Sequence, residues 1–200
     1  MPRGITLPAM DAGHHSAVKG EAELYALFTS HGIAWTHHAH PPLHTVEESQ
    51  ALRGDLPGAH VKNMFLKDKK GALWLVTCLE QRKIRIRDLE REIGASKCSF
   101  AKPELLWAHL GLRPGAVSPF GLINDPGHRV RPVLDRQMLS AEIVNAHPLH
   151  NEATTGISSA DFQRFFEVTG HRPILVDFDA LEAAESARLA AQPSGHEAAQ

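Results

Sequence analysis

Two apolar runs, residues 61–66 and 72–79, flank the polar tetrapeptide Asp68-Lys69-Lys70-Gly71, and this stretch constrains the fold more than any other. A connection so short joins antiparallel neighbours and cannot make the crossover that a parallel pair needs. A hairpin is therefore predicted. Helical signals surround it. Leu24, Leu27 and Phe28 follow helical spacing from Glu21, and His31-Gly32 stops them before a strand candidate at Ile33-Ala34-Trp35. Thr45-Val46-Glu47-Glu48 is a capping-box pattern for a short helix ending near Arg53-Gly54. Asp88 is placed to cap a helix reaching Ile93-Gly94, and Pro103 to open one ending at Leu110-Gly111. Ser158 to Asp161 caps a helix carrying Phe162, Phe165 and Phe166, which Gly170 closes.

Further strands are predicted at Val117 to Ile123, Val130 to Leu134, Ile143 to Ala146 and Ile174 to Asp177, with Asn124-Asp125-Pro126-Gly127 as a turn. Interspersed strands and helices with short turns predict a mixed α/β domain over residues 20–180. Residues 1–19 form a flexible lead-in, and residues 181–200 a terminal helix and tail that frays from Gln192. A chain of 200 residues buries roughly 70% of its unfolded surface, enough for a real core. No apolar run approaches the ~20 residues that span a bilayer, and the N-terminus has no continuous apolar segment of the secretory kind. A cytoplasmic location without membrane contact is expected. Cys78 and Cys98 lack CxxC spacing and are expected as reduced thiols.

The chemistry-bearing residues are few. Lys62 opens an apolar strand, where a lysine holds a phosphate or polarises an oxygen, or simply sits at the surface. Gly115 to Pro119 sets Ala116, Val117 and Ser118 between a glycine and a proline. Its backbone N–H groups can converge on a ligand oxygen, although a plain tight connection needs the same residues. His147-Pro148 ends a strand, and its imidazole is either a hydrogen-bonding site group or a satisfied, half-buried side chain. Asn151, Thr154 and Thr155 follow on a predicted loop as turn builders. The net charge of −2 does not advertise nucleic-acid binding, but Lys83-Ile84-Arg85-Ile86-Arg87 alternates cation and isoleucine. On a strand this puts three cations on one face. The histidines at 37, 38, 40 and 44 lack a cysteine or carboxylate at zinc spacing, so no metal and no other cofactor is expected.

Lys62-Asn63, the Gly115 to Pro119 loop, Phe120-Gly121-Leu122-Ile123-Asn124-Asp125 and His147-Pro148-Leu149 together resemble the YbaK family, the editing domains associated with prolyl-tRNA synthetase. The resemblance covers residues 20–180 and implies a mixed, partly closed sheet with helices packed outside it. It implies an aminoacyl-tRNA deacylase that cleaves the ester between a wrong amino acid and the 3′ end of tRNA. Lys62 matches the motif lysine. Gly115 to Pro119 matches the loop whose backbone holds the ester, with Asn63, Ala116, Val117, Ser118, Pro119 and Asn151 at the substrate. His147 matches the motif histidine.

In such a reaction water attacks the carbonyl with the substrate's 2′-OH assisting. A developing oxyanion must be stabilised, and no nucleophilic side chain is required. Residues 112–120 and 147–151 look most like the alanyl-tRNA(Pro) deacylase branch, although Met64 stands where many relatives have leucine. The implied partners are the acceptor end of aminoacylated tRNA(Pro), touched by Lys83, Arg85 and Arg87, and prolyl-tRNA synthetase. Without a synthetase catalytic domain, action in trans is expected. Editing of cysteine or serine, or tRNA and synthetase binding without catalysis, are the alternatives.

Overall fold

The computed structural model describes residues 17–42 and 56–191. The lead-in up to residue 16, the helix expected from Thr45 to Gly54, His44 and the tail from Gln192 lie outside the described residues. In chain order the elements are α1 (Glu21–Ser30), β1 (Trp35–Ala39), β2 (Ala59–Asp68), β3 (Leu73–Leu79), α2 (Ile86–Glu92), β4 (Cys98–Phe100), α3 (Pro103–Leu110), a 3-10 segment (Pro119–Asn124), β5 (Val130–Asp135), a second 3-10 segment (Arg136–Ser140), β6 (Ile143–Ala146), β7 (Ala153–Ser158), α4 (Ser159–Val168), β8 (Ile174–Val176) and α5 (Phe178–Ala190).

The hairpin forms as its turn chemistry dictates. The Asp68 carboxylate accepts the Lys70 and Ala72 N–H groups, both at 2.9 Å, and Gly71 takes the positive φ of 89° that closes the turn. Val61 then pairs with Leu79 and Lys67 with Leu73. β3 is buried on both faces, so its side chains alternate between two cores. Leu73 and Leu75 join Phe65, α1, α3, the first 3-10 segment and α4, while Trp74, Val76 and Cys78 join Leu66, α2 and α5. Edge-to-face rings fill the first core, with centroids of Phe28 and Phe120 5.4 Å apart and of Phe120 and Phe165 5.3 Å apart.

The eight strands lie in the order β1-β7-β6-β2-β3-β5-β8, with β4 also on β2. β2 and β3 are antiparallel, whereas β3 with β5, β5 with β8 and β2 with β6 are parallel. The fold is thus mixed α/β. The edge of β2 away from β3 is shared between two neighbours. β6 pairs with Ala59 and His60, and β4 with Leu66 to Asp68, so residues 61–64 lie in a split in the sheet.

Five sequence expectations change. Residues 83–87 are not a strand: residues 82–85 are irregular and Ile86 starts α2. Ile86, Leu89 and Ile93 recur at helical spacing and pack on the second core, outweighing a five-residue alternation. Asp88 lies inside that helix, not at its cap, and accepts from Arg91 and Arg188. Residues 117–123 also form no strand. Ser118 Oγ accepts the Phe120 N–H and Pro119 opens a 3-10 turn, because the backbone at Gly121 must pass so close that a Cβ there would stand 2.6 Å from Leu112 Cδ1. Thr154 and Thr155 belong to strand β7, not to a loop; its threonines and Gly156 concealed the pattern. The strand expected at residues 33–35 begins only at Trp35 and runs to Ala39, carrying His37 and His38.

Candidate active site

The split in the sheet is closed by the segment before the first 3-10 turn. Arg113-Pro114-Gly115-Ala116 is a type II turn, with the Ala116 N–H bonded to the Arg113 carbonyl at 3.0 Å and Gly115 at φ +87°. Asn63 Nδ2 then donates to the Val117 carbonyl at 2.9 Å, while Asn63 Oδ1 accepts from Thr77 Oγ1 at 2.7 Å. Both ends of one carboxamide thus tie the loop to the hairpin. Ser118, fully buried, donates from Oγ to the His147 carbonyl at 2.6 Å and fastens the loop to the end of β6. Among the described residues the N–H groups of Val117 and Ser118 take no hydrogen-bond partner. Two backbone donors of the loop are thus left unpaired among the described residues. Pro119 is buried beneath the loop, and the Asn151 amide nitrogen lies 3.8 Å from where a Cβ on Gly115 would stand.

Next to the loop, where β2 and β6 diverge, is a cavity of about 30 Å³ whose walls include Asn63, Glu80, Asn145, His147 and Thr154. His147 Nδ1 faces the Ala153 carbonyl at 2.9 Å. A carbonyl only accepts, so Nδ1 carries the proton and Nε2 of the neutral ring is an acceptor. Burial holds the His147 pKa below the ordinary imidazole value; the nearby His40 and His150 push the same way, and the Ala153 hydrogen bond opposes them. Asn145 was missed by sequence reasoning. It is buried, its Nδ2 donates to the Pro57 carbonyl at 2.9 Å, and its Oδ1 has no partner among the described residues. The signal was a carboxamide inside the apolar run Ile-Val-Asn-Ala.

The lowered pKa of His147 gives a pH dependence. The unfolded chain binds this proton more readily than the folded one, so the penalty is absent above the ordinary imidazole value of about 6.5 and grows as pH falls below it. Urea unfolding of the wild type and His147→Asn between pH 8 and pH 5 should show the wild type losing stability more steeply below about 6.5. Parallel losses would mean that His147 is not the group responsible.

Lys62 is not gathered with these residues. It shares the parity of Met64 and Leu66, which face the second core, whereas Asn63 shares that of Val61 and Phe65, which face the first. Its ammonium donates to the Arg82 carbonyl on the far side of β2. Arg82 is itself buried against Asp135, Nε to Oδ2 2.8 Å, with Asp179 and Glu182 on its outer nitrogen. Lys83, Arg85 and Arg87 lie apart from the loop. All three are exposed, and two lie beside α5, where Glu182 accepts the Lys83 N–H at 2.9 Å and Glu185 pairs with Arg85 at 3.3 Å. Neither cysteine is an activated nucleophile. Burial pushes the Cys78 thiol up to about 12 despite nearby Lys62, and burial with Glu90 pushes Cys98 up to about 11. Among the described residues no group of three or more His, Cys, Asp or Glu side chains could hold a metal, and no helix is long and apolar enough to cross a membrane.

A family model described as the aminoacyl-tRNA editing domain matches residues 40–165. The chain belongs to that family. It is 41% identical over 145 residues to prolyl-tRNA synthetase associated domain-containing protein 1 of Bos taurus, covering 70% of this chain and 84% of that one. It is 36% identical over 140 residues to the prolyl-tRNA editing protein ProX of Acetoanaerobium sticklandii, covering 70% and 85%. The fold is that of a crystal structure of a proposed trans-editing enzyme for prolyl tRNA synthetase, with a TM-score of 0.59, 21% identity, and 80% and 98% of the two chains covered. This editing-domain chain therefore carries the YbaK-like fold that its motifs implied.

Proposed function

We propose that this protein is an aminoacyl-tRNA deacylase that hydrolyses mischarged tRNA, with alanyl-tRNA(Pro) as its preferred substrate. The observation that carries this reading is the Gly115 to Pro119 loop: Asn63 and Ser118 hold it rigid beside His147 while two of its N–H groups remain without partners among the described residues. Such fixed donors stabilise the oxyanion formed when water adds to an ester carbonyl. The carbon–oxygen bond to the ribose then breaks, and the ribose oxygen takes a proton. Neutral His147, with Nε2 as acceptor, would orient the water or the α-amino group, and Asn151 would border the amino-acid side. Lys62, on the stretch of β2 that neither β6 nor β4 pairs among the described residues, would swing its flexible stem to meet the terminal nucleotide. Lys83, Arg85 and Arg87 would offer exposed cations to more distant phosphates, and prolyl-tRNA synthetase would be a further partner. A cytoplasmic location, where such a substrate would be met, is part of this reading.

The small cavity favours a small side chain, because a second site excludes the larger cognate residue by size. The purified protein is expected to release alanine from alanyl-tRNA(Pro) at least tenfold faster than proline from prolyl-tRNA(Pro), given that a single methylene is worth roughly 10- to 200-fold in discrimination. Ester loss followed with labelled amino acid checks this. Equal hydrolysis of both would reject size exclusion; faster loss of cysteine or serine would reassign the substrate; no hydrolysis of any aminoacyl-tRNA would leave a binding module.

A further inference from the structure

On the outer side of the Arg113 to Ala116 turn, α3 and the segment after it form a groove of about 500 Å³ lined by Pro103, Glu104, Trp107, Leu112, Arg113 and Pro114. The buried side of α3 is carried by Leu106 and Leu110, so Trp107 on the next position round is not a core residue; it is 48% exposed. The Arg113 guanidinium lies over its ring, 5.5 Å from the centroid. An exposed indole with a planar cation on its face is a surface suited to a nucleobase, which stacks on either plane while its phosphate meets the guanidinium. The Glu104 carboxylate on the groove wall would repel a phosphate backbone and favour its passage on the Arg113 side.

Continuity with the candidate site selects the occupant. Pro114 belongs both to this groove and to the turn that presents Gly115. Val117 lies three residues further along, at most about 11 Å of chain. A nucleotide next to one seated at the loop therefore has the Trp107 face within its reach. We propose that Trp107 and Arg113 form a stacking platform for an unpaired nucleobase next to the acylated 3′ nucleotide. This rests on the editing function proposed above and gives the acceptor end a contact that Lys83, Arg85 and Arg87 do not.

The test uses binding rather than catalysis: a non-acylated RNA hairpin copying the acceptor stem with its unpaired 3′ nucleotides, and the same stem with a blunt end. Trp107→Ala should weaken binding of the first RNA by roughly tenfold with an unchanged salt slope, and Trp107→Phe should retain most of it. Arg113→Ala should weaken binding and lower the slope of log affinity against log salt by about 0.7. The blunt stem should bind wild type and Trp107→Ala alike. Equal binding of the overhanging RNA by wild type and Trp107→Ala, an equal loss on the blunt stem, or no binding by the wild type would overturn the platform. So would a Trp107→Ala variant that changes the solution mass and not RNA binding, since the groove would then belong to a second copy of the chain. If the platform behaves as expected and no aminoacyl-tRNA is hydrolysed, the editing function fails and the platform stands. If hydrolysis is robust and Trp107→Ala leaves both binding and KM unchanged, the reverse holds.

Discussion

Lys62→Ala is expected to slow single-turnover deacylation of alanyl-tRNA(Pro) by roughly 10²–10³, the effect of removing one preorganised electrostatic contact from a transition state. The position of the ammonium makes this a demanding prediction. It now rests on the Arg82 carbonyl, on the opposite face of β2 from Asn63. If the ammonium only anchors that carbonyl, its loss should cost about 1.5–3 kcal/mol of stability, the range for a hydrogen bond from a charged group, and leave the rate alone. If it also swings to the substrate, the rate falls in addition to that loss of stability. Lys62→Met keeps the aliphatic stem and should be as slow as Lys62→Ala, and Lys62→Arg should rescue little because a planar fork does not replace a compact ammonium. A covalent route through this lysine would leave an aminoacyl adduct that rapid-quench mass spectrometry detects. Its appearance would overturn the electrostatic role, and wild-type rates in Lys62→Ala would remove the residue from the site.

Arg82→Ala should destabilise the fold by about 3–5 kcal/mol, the cost of leaving one member of a buried pair unpaired. Asp135 is wholly buried and Arg82 is 6% exposed. Burial works against the Arg82 charge, yet Asp135 and Asp179 outweigh it and raise its pKa. The energy resides mainly in the Asp135 contact, because the Asp179 side chain is 63% exposed and screened by solvent. Asp179→Ala should therefore cost under about 1 kcal/mol. After Arg82 is removed, Asp135 keeps the N–H groups of Leu79 and Gln137 at 3.3 and 3.0 Å, which argues for the lower end of the range. The acceptor for Lys62 is the backbone carbonyl of Arg82, so the variant retains it. Urea unfolding of the two variants side by side checks the assignment; equal and small losses would show that the buried pair does not hold the end of β3 to β5.

Where local chemistry decided the structure, the sequence was sufficient. The hairpin followed from Asp68 and Gly71, α3 from Pro103 at its start and Gly111 after its end, and α4 from the Ser158 cap and the spacing of its phenylalanines. Lys62-Asn63, the Gly115 to Pro119 loop and His147 were legible because turn formers and unusual polar residues stand out against apolar strands. The remainder depended on partners distant in the chain. β7 is a strand because β1 and β6 satisfy both of its edges, and residues 83–87 abandon strand alternation because Ile86 and Leu89 find the second core. Asn145 became a candidate only when its Oδ1 was found buried without a partner among the described residues. Adjacency in sequence placed Lys62 and Asn63 in one motif, but strand alternation sends their side chains to opposite faces. The stretch of β2 that carries them, left by the separate pairing of β6 and β4 among the described residues, is a product of strands distant in the chain.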